Sequence, residues 1–238
     1  MPQPTVRLIV TGDDFGYCLR RNRGCHIGNK VDQELRGQVD LFCELTGHLP
    51  HHMDGHQHVH VLPGIRDIFA QVLSDFGIKY TRVPIEPGLH DCDWIGQQLM
   101  EFYLQVEKDA FNSIDVFRRH GIRWTDIYIG LTTMGENMSI SNIQRVIENA
   151  IATRKVKQHL DISCGKKFRS LQDDAILTME LMVHPGYCSF PEEGGCGEGP
   201  DEFSMSADRF HELQTLKESK LLKYYEDKNI QLCSFKDL

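Results

Sequence analysis

Short apolar segments alternate with amphipathic stretches along the whole chain, and this alternation leaves few folds open. "VRLIV" at 6–10 reads as a short buried strand that runs straight into "TGDDFG". Val31, Leu35, Val39, Phe42 and Leu45 recur at helical spacing, which predicts a helix over 31–46 stopped by Gly47. "HHMDG" reads as a short strand, and Ile65, Ile68, Phe69, Val72, Leu73 and Phe76 then share one helical face up to Gly77. "IKYTRVP" is a strand ended by Pro84, 96–120 a long helix, and "IRWTDIYIG" another strand. "SNIQRVIENAIA" is a helix opened by Ser141, with Gln144 at capping-box spacing. Residues 154–176 are polar and carry no interpretable motif. "TMELMV" is a strand, the Gly- and Glu-rich stretch at 188–204 a loop, 206–228 one amphipathic helix, and "IQLCSF" the last strand. The order predicts an α/β fold of one domain over 1–238, with six mostly parallel strands.

Ligand and active sites of such folds lie beyond the C-terminal ends of the strands. Three of the six ends carry polar chemistry: Asp13 and Asp14, then "DGHQHVH" at 54–60, then "HPG" at 184–186. Five of the chain's 12 histidines fall between His51 and His60, with Asp54 among them. Imidazole is the commonest side-chain metal ligand, and a nearby carboxylate can fix its tautomer. In an extended backbone His56, His58 and His60 share a face; in a helical one only His56 and His60 do. A solvated His-rich loop is the competing reading, above all for His51 and His52.

Adjacent Asp13 and Asp14 converge on one site only if the chain turns, which Gly12 and Gly16 allow. Two close carboxylates suit a division into a metal ligand and a general base, because a cation relieves their repulsion. Capping of a turn is the alternative. In "ELMVHPGY", Glu180, Met182 and His184 alternate onto one face, and Pro185 favours an extended backbone at His184. Arg82, in "TRVP", fits a substrate-binding residue or a structural ion pair equally well.

Composition removes other classes. The formal net charge is −8 and no Lys/Arg run exceeds a pair, which argues against a nucleic-acid partner. Hydrophobic content of 40% with 25% charged residues is ordinary for a soluble protein. The early apolar run is too short for a membrane span. The 8 cysteines form no C-x-x-C, so reduced thiols and a cytoplasmic protein are expected, with a small or oligomeric ligand and no membrane partner. A homo-oligomer is left open.

"VTGDDFG", "HMDGHQHVHVLPG", "TRVP" and "ELMVHPGY" resemble, in order, the successive motifs of the YdjC-like carbohydrate (chitooligosaccharide) deacetylases. The resemblance implies a distorted (β/α) barrel and hydrolysis of N-acetyl groups from amino-sugar oligosaccharides. It implies a divalent metal, Mg²⁺ first and Zn²⁺ second. By motif, Asp13 resembles the catalytic base, Asp14 and His56 metal ligands, and His184 the imidazole that assists the leaving group. The family's further "GLH"-type motif, whose His is the remaining ligand, is missing between "DDFG" and "DGHQH"; His26 lies near the junction without the motif around it. The chain therefore resembles an internally shortened isoform whose barrel lacks two early strands and the helix between them. Impaired catalysis, or a non-catalytic remnant that binds sugar or a partner, follows as an expectation.

Overall fold

A computed structural model describes residues 5–12, 27–163, 176–190 and 200–238. Four parallel strands form its sheet: β1 (Val6–Gly12), β2 (Ile127–Ile129), β3 (Leu177–Val183) and β4 (Ile230–Cys233), in the order β2-β3-β1-β4. Four larger helices are α1 (Ile27–Thr46), α2 (Arg66–Phe76), α3 (Gln97–Arg119) and α4 (Ile140–Ser163), the last of which follows β2. The last stretch holds α5 (Glu202–Met205), α6 (Asp208–Leu216) and α7 (Ser219–Asp227). The expected α/β class with a parallel sheet is present.

Two of the six expected strands are reduced to single parallel bridges. His52 pairs with Tyr80 and Tyr80 with Arg123, so 52, 80 and 123 continue the parallel layer beyond β2. Past β4 the chain turns back, and Phe235 stacks on the His52 ring at 4.3 Å and lies 5.5 Å from Tyr80. This closes the space between the two ends of the layer with side chains.

Alternation along the strands gives the layer two faces. Val6 and Leu8 of β1, Ile127 and Ile129 of β2, and Leu177, Met179, Leu181 and Val183 of β3 point outward. They pack on Ile143, Val146 and Ile147 of α4 and Leu221, Tyr224 and Tyr225 of α7. A second core joins Phe69 and Leu73 of α2, Ala110 and Phe117 of α3, and Ile78, Val83 and Ile122. The other face carries Ile9, Thr11, Tyr128, Glu180 and Met182, which meet Tyr80 and Arg82 inside.

Three local readings change. Ser139, not Ser141, opens α4, accepting the Asn142 N–H at 3.1 Å. The stretch 206–228 is two helices, because Glu218 is extended (φ −65°, ψ 128°). The apolar stripe of α1 is only partly covered: Val39 is buried, whereas Leu45 is 77% exposed.

Candidate functional site

Gly55 and the turn it begins fix the His-rich segment. A Cβ on Gly55 would sit 2.8 Å from the Val59 side chain and 2.9 Å from the His60 nitrogen, so only glycine fits. The chain then makes a tight 3₁₀ turn, His56–Val61, kinked by left-handed Gln57 (φ 50°) and His58 (φ 58°). Two consecutive non-glycine residues in this region cost on the order of 1–3 kcal/mol each, and such strain gathers at functional sites. Neither the extended nor the helical face expected for the three histidines therefore forms.

The three rings take different environments. His60 is buried; its Nδ1 accepts the Gly55 N–H (3.0 Å), which leaves Nε2 protonated to donate to the Arg82 carbonyl (2.9 Å). With both nitrogens engaged, His60 is a neutral lock on the turn rather than a metal ligand. His58 is buried edge-on to Tyr128. His56 opens the turn and is half-buried.

Beneath the turn lies a buried charge network. Arg82 has no exposed surface. Its Nε donates to Glu180 Oε1 (2.8 Å), and its Nη2 contacts Asp54 Oδ2 (3.0 Å) and Thr11 Oγ1 (3.0 Å). Thr11 also donates to Glu180 Oε1 at 2.9 Å, and His52 Nε2 lies 2.8 Å from Asp54 Oδ2. Burial pushes the Asp54 carboxyl up, but the Arg82 guanidinium and the His52 hydrogen bond outweigh it and hold the group well below the usual carboxylate range. Of the two readings of Arg82, the geometry supplies an ion pair with Glu180 and Asp54.

Ligand atoms of His52, Asp54 and Glu180 lie within 4.8 Å of one another, a set that could hold a divalent ion. The Arg82 guanidinium already contacts the Asp54 and Glu180 oxygens, so an ion there would have to displace a cation from its counter-charges. Asp13 and Asp14 lie outside the described residues; they follow Gly12, whose register partner is Val183, the residue before His184. A Gly-Leu-His triplet does occur at 88–90, after the Arg82 segment, but the His90 imidazole is 66% exposed and pairs with Glu107 at 2.8 Å.

His184 leaves the end of β3 buried against Phe203, with ring centroids 5.2 Å apart, edge to face. Glu212 of α6, fully buried, clamps this position. One carboxylate oxygen accepts the Gly135 N–H (2.7 Å) and the other accepts the His184 N–H. Its Oε1 lies 3.7 Å from His184 Nδ1. Sequence reasoning missed Glu212, because nothing local distinguishes it from a solvated helix residue.

Another buried carboxylate, Glu86, holds the loop after β2. Its Oε2 accepts the N–H groups of Gly130, Leu131 and Thr132 at 3.1, 2.7 and 3.3 Å, and its Oε1 accepts the Thr132 hydroxyl. Gly130 (φ +136°) presses on β3, where any Cβ would come within 2.7 Å of the Met182 carbonyl. Burial pushes the Glu86 carboxyl up to about 7 against the pull of these donors. The folded protein thus keeps the Glu86 proton to about pH 7, whereas the unfolded chain releases it near 4.5. The contribution to stability is full below the lower value and is lost as pH rises through the upper one, at most about 3 kcal/mol. Glu86→Gln keeps an acceptor for the three N–H groups and is expected to remove this slope. Urea midpoints of parent and variant compared at pH 5 and pH 8 check it; identical pH dependence in both would refute it.

A profile of the YdjC-like protein family matches residues 26–227. The chain belongs to the YdjC-like family. The match opens after Asp13 and Asp14. Within the family, a carbohydrate deacetylase of Danio rerio is 42% identical over 318 aligned positions that span all of both chains. This chain supplies only 238 residues to those 318 positions, so at least 80 of them face a gap. Carbohydrate deacetylases of Xenopus laevis and Homo sapiens are 53% and 41% identical, each over 88% of this chain. The chain spans 65% and 59% of their lengths. Among the described residues no helix is long and apolar enough to cross a membrane.

Proposed function

We propose that this chain is a carbohydrate deacetylase of reduced capacity, hydrolysing the N-acetyl amide of amino-sugar oligosaccharides with the help of a divalent metal. The observation that supports the reading is that the strained turn His56–Val61 sets His58 edge-on to Tyr128, whose hydroxyl donates to Met182, two residues before His184 at the end of β3. The names of the family relatives support a carbohydrate substrate and deacetylation, and the amino-sugar oligosaccharide follows from the resemblance of the motifs.

An acetamide is a poor electrophile, and water attacks it slowly. Asp13 takes the proton of the attacking water. His184, as imidazolium, gives a proton to the amine nitrogen as the C–N bond breaks, releasing acetate and a free amino sugar. Glu212, 3.7 Å from His184 Nδ1, orients the ring and attracts its positive charge. Asp14 and His56 would hold the ion, Mg²⁺ first and Zn²⁺ second as the family resemblance implies. When bound, the ion supplies polarisation of the acetyl carbonyl. His60 is excluded from this shell by its two hydrogen bonds, and Arg82 acts from below, by fixing Asp54 and Glu180.

The absent 80 positions favour a second reading, a non-catalytic remnant that still binds sugar. Acetate release from N-acetylated chitooligosaccharide, with added Mg²⁺ or with chelator, separates the two. Chelator-sensitive release supports the enzyme; binding of the sugar with no acetate released under either condition supports the remnant.

A further inference from the structure

Beyond His184 the chain does something the reaction does not require. Tyr187 is 73% exposed and Phe210 of α6 is 41% exposed, yet the two rings pack on each other with centroids 5.8 Å apart and planes 34° apart. The segment that carries Tyr187 is pinned to the α5–α6 region. Gly186 N–H donates to the Arg209 carbonyl (3.1 Å), Ser189 N–H to the Ser204 carbonyl (2.9 Å), and the Cys188 thiol to the Ser206 carbonyl (3.0 Å). The same helix that presents Phe210 outward turns Glu212 inward onto the His184 backbone. The aromatic pair is therefore tied rigidly to the position of His184, three residues and at most about 10 Å of chain away.

We propose that Tyr187 and Phe210 form a sugar-stacking subsite that holds a pyranose ring of the oligosaccharide next to the residue whose amide reacts at His184. This rests on the deacetylase reading and names where its substrate lies. A pyranose has a face of C–H bonds that covers an aromatic ring while its equatorial hydroxyls stay in water. A rigid, exposed ring pair matches that chemistry and pays little ordering entropy on binding. A protein partner fits less well. Even with exposed Phe190 added, three rings at about 150–250 Å² each fall short of the roughly 800 Å² per side that a stable protein interface buries.

The test is titration of the full chain with N-acetylated chitotetraose by calorimetry, beside Tyr187→Ala, Phe210→Ala, Tyr187→Phe and Phe210→Tyr. Both rings are exposed, so all four variants should melt with the parent. Each alanine variant is expected to bind about tenfold more weakly, on the scale of one lost aromatic contact, and the ring-conserving variants within about twofold of the parent. Equal affinity in the alanine variants, or no binding by the parent, overturns the subsite. So does gel filtration in which Tyr187→Ala turns a parent dimer into a monomer, since the rings would then serve self-association. Acetate release is scored separately. Ring-dependent binding without any acetate release leaves the subsite standing and removes the deacetylase reading, and acetate release that ignores both rings does the reverse.

Discussion

Arg82→Met is expected to destabilise the protein by about 3–5 kcal/mol, a large share of the 5–15 kcal/mol that holds a typical domain folded. The guanidinium has no exposed surface, and Glu180, also fully buried, is its partner at 2.8 Å. Asp54 meets the same cation at 3.0 Å and Thr11 donates toward the same Glu180 oxygen. Removing the cation leaves Asp54 and Glu180 close together in a desolvated interior, with the His52 imidazole hydrogen-bonded to Asp54. The loss comes from that uncompensated charge and not from the ion pair's net strength, which burial makes modest. It follows that Arg82→Met with Glu180→Met should recover much of the loss, because the pair is replaced by apolar groups of similar length, while Glu180→Met alone should not. Arg82→Lys should fall between, since an ammonium cannot reproduce the fork that reaches Glu180, Asp54 and Thr11 together. Urea denaturation at neutral pH measures all four; an Arg82→Met variant within 1 kcal/mol of the parent would show that water, not protein, solvates this site.

The contrast between Arg82 and the histidines shows what the sequence made legible. Local periodicity carried the helices: Ile68, Phe69, Val72 and Leu73 announced α2, and Gly77 took the left-handed cap that ended it. Alternation in "ELMVHPGY" correctly put Glu180 and Met182 on the face opposite Leu181 and Val183. What spacing could not carry was any role decided by a distant partner. His60 looked like a ligand among ligands until the Arg82 carbonyl, 22 residues on, took its second nitrogen. Arg82 was ambiguous because Glu180 lies 98 residues away. Glu212 and Glu86 had no signal, since a buried carboxylate and a solvated one look alike in a helix or a Pro-Gly loop. The choice of Ser139 over Ser141 turned on which hydroxyl reached the Asn142 N–H. Two expected strands shrank to bridges at His52 and Tyr80, where polar residues and Pro84 limit regular pairing. Asp13 and Asp14 fall outside the described residues, so the base and one ligand remain proposals drawn from motif alone.

Replacing His184 by Ala, or Asp13 by Asn, is expected to lower acetate release by about 10² to 10⁴, the usual worth of a positioned acid or base. The two substitutions should differ in other respects. Asp13→Asn removes the base while keeping the shape of the side chain, so metal and sugar binding should persist. In the proposed mechanism His184→Ala removes the group that protonates the leaving amine; it also opens a space against Phe203, so some stability should be lost with the rate. Glu212→Gln should slow the reaction less than His184→Ala, because the imidazole remains and only its orienting carboxylate changes. The bond broken should be the amide and not the glycosidic linkage. Glycosidases of the usual kind place two carboxyl groups across the scissile bond at a spacing set by their stereochemistry. Here the carboxylates beneath the turn, Asp54 and Glu180, are both committed to Arg82, and the buried Glu212 and Glu86 are committed to backbone N–H groups. Acetate and reducing ends measured on the same chitooligosaccharide digest decide the matter. Reducing ends that accumulate while the acetyl groups stay in place, or a His184→Ala variant that releases acetate at the parent's rate, would show that the reaction has been assigned to the wrong bond or the wrong residue.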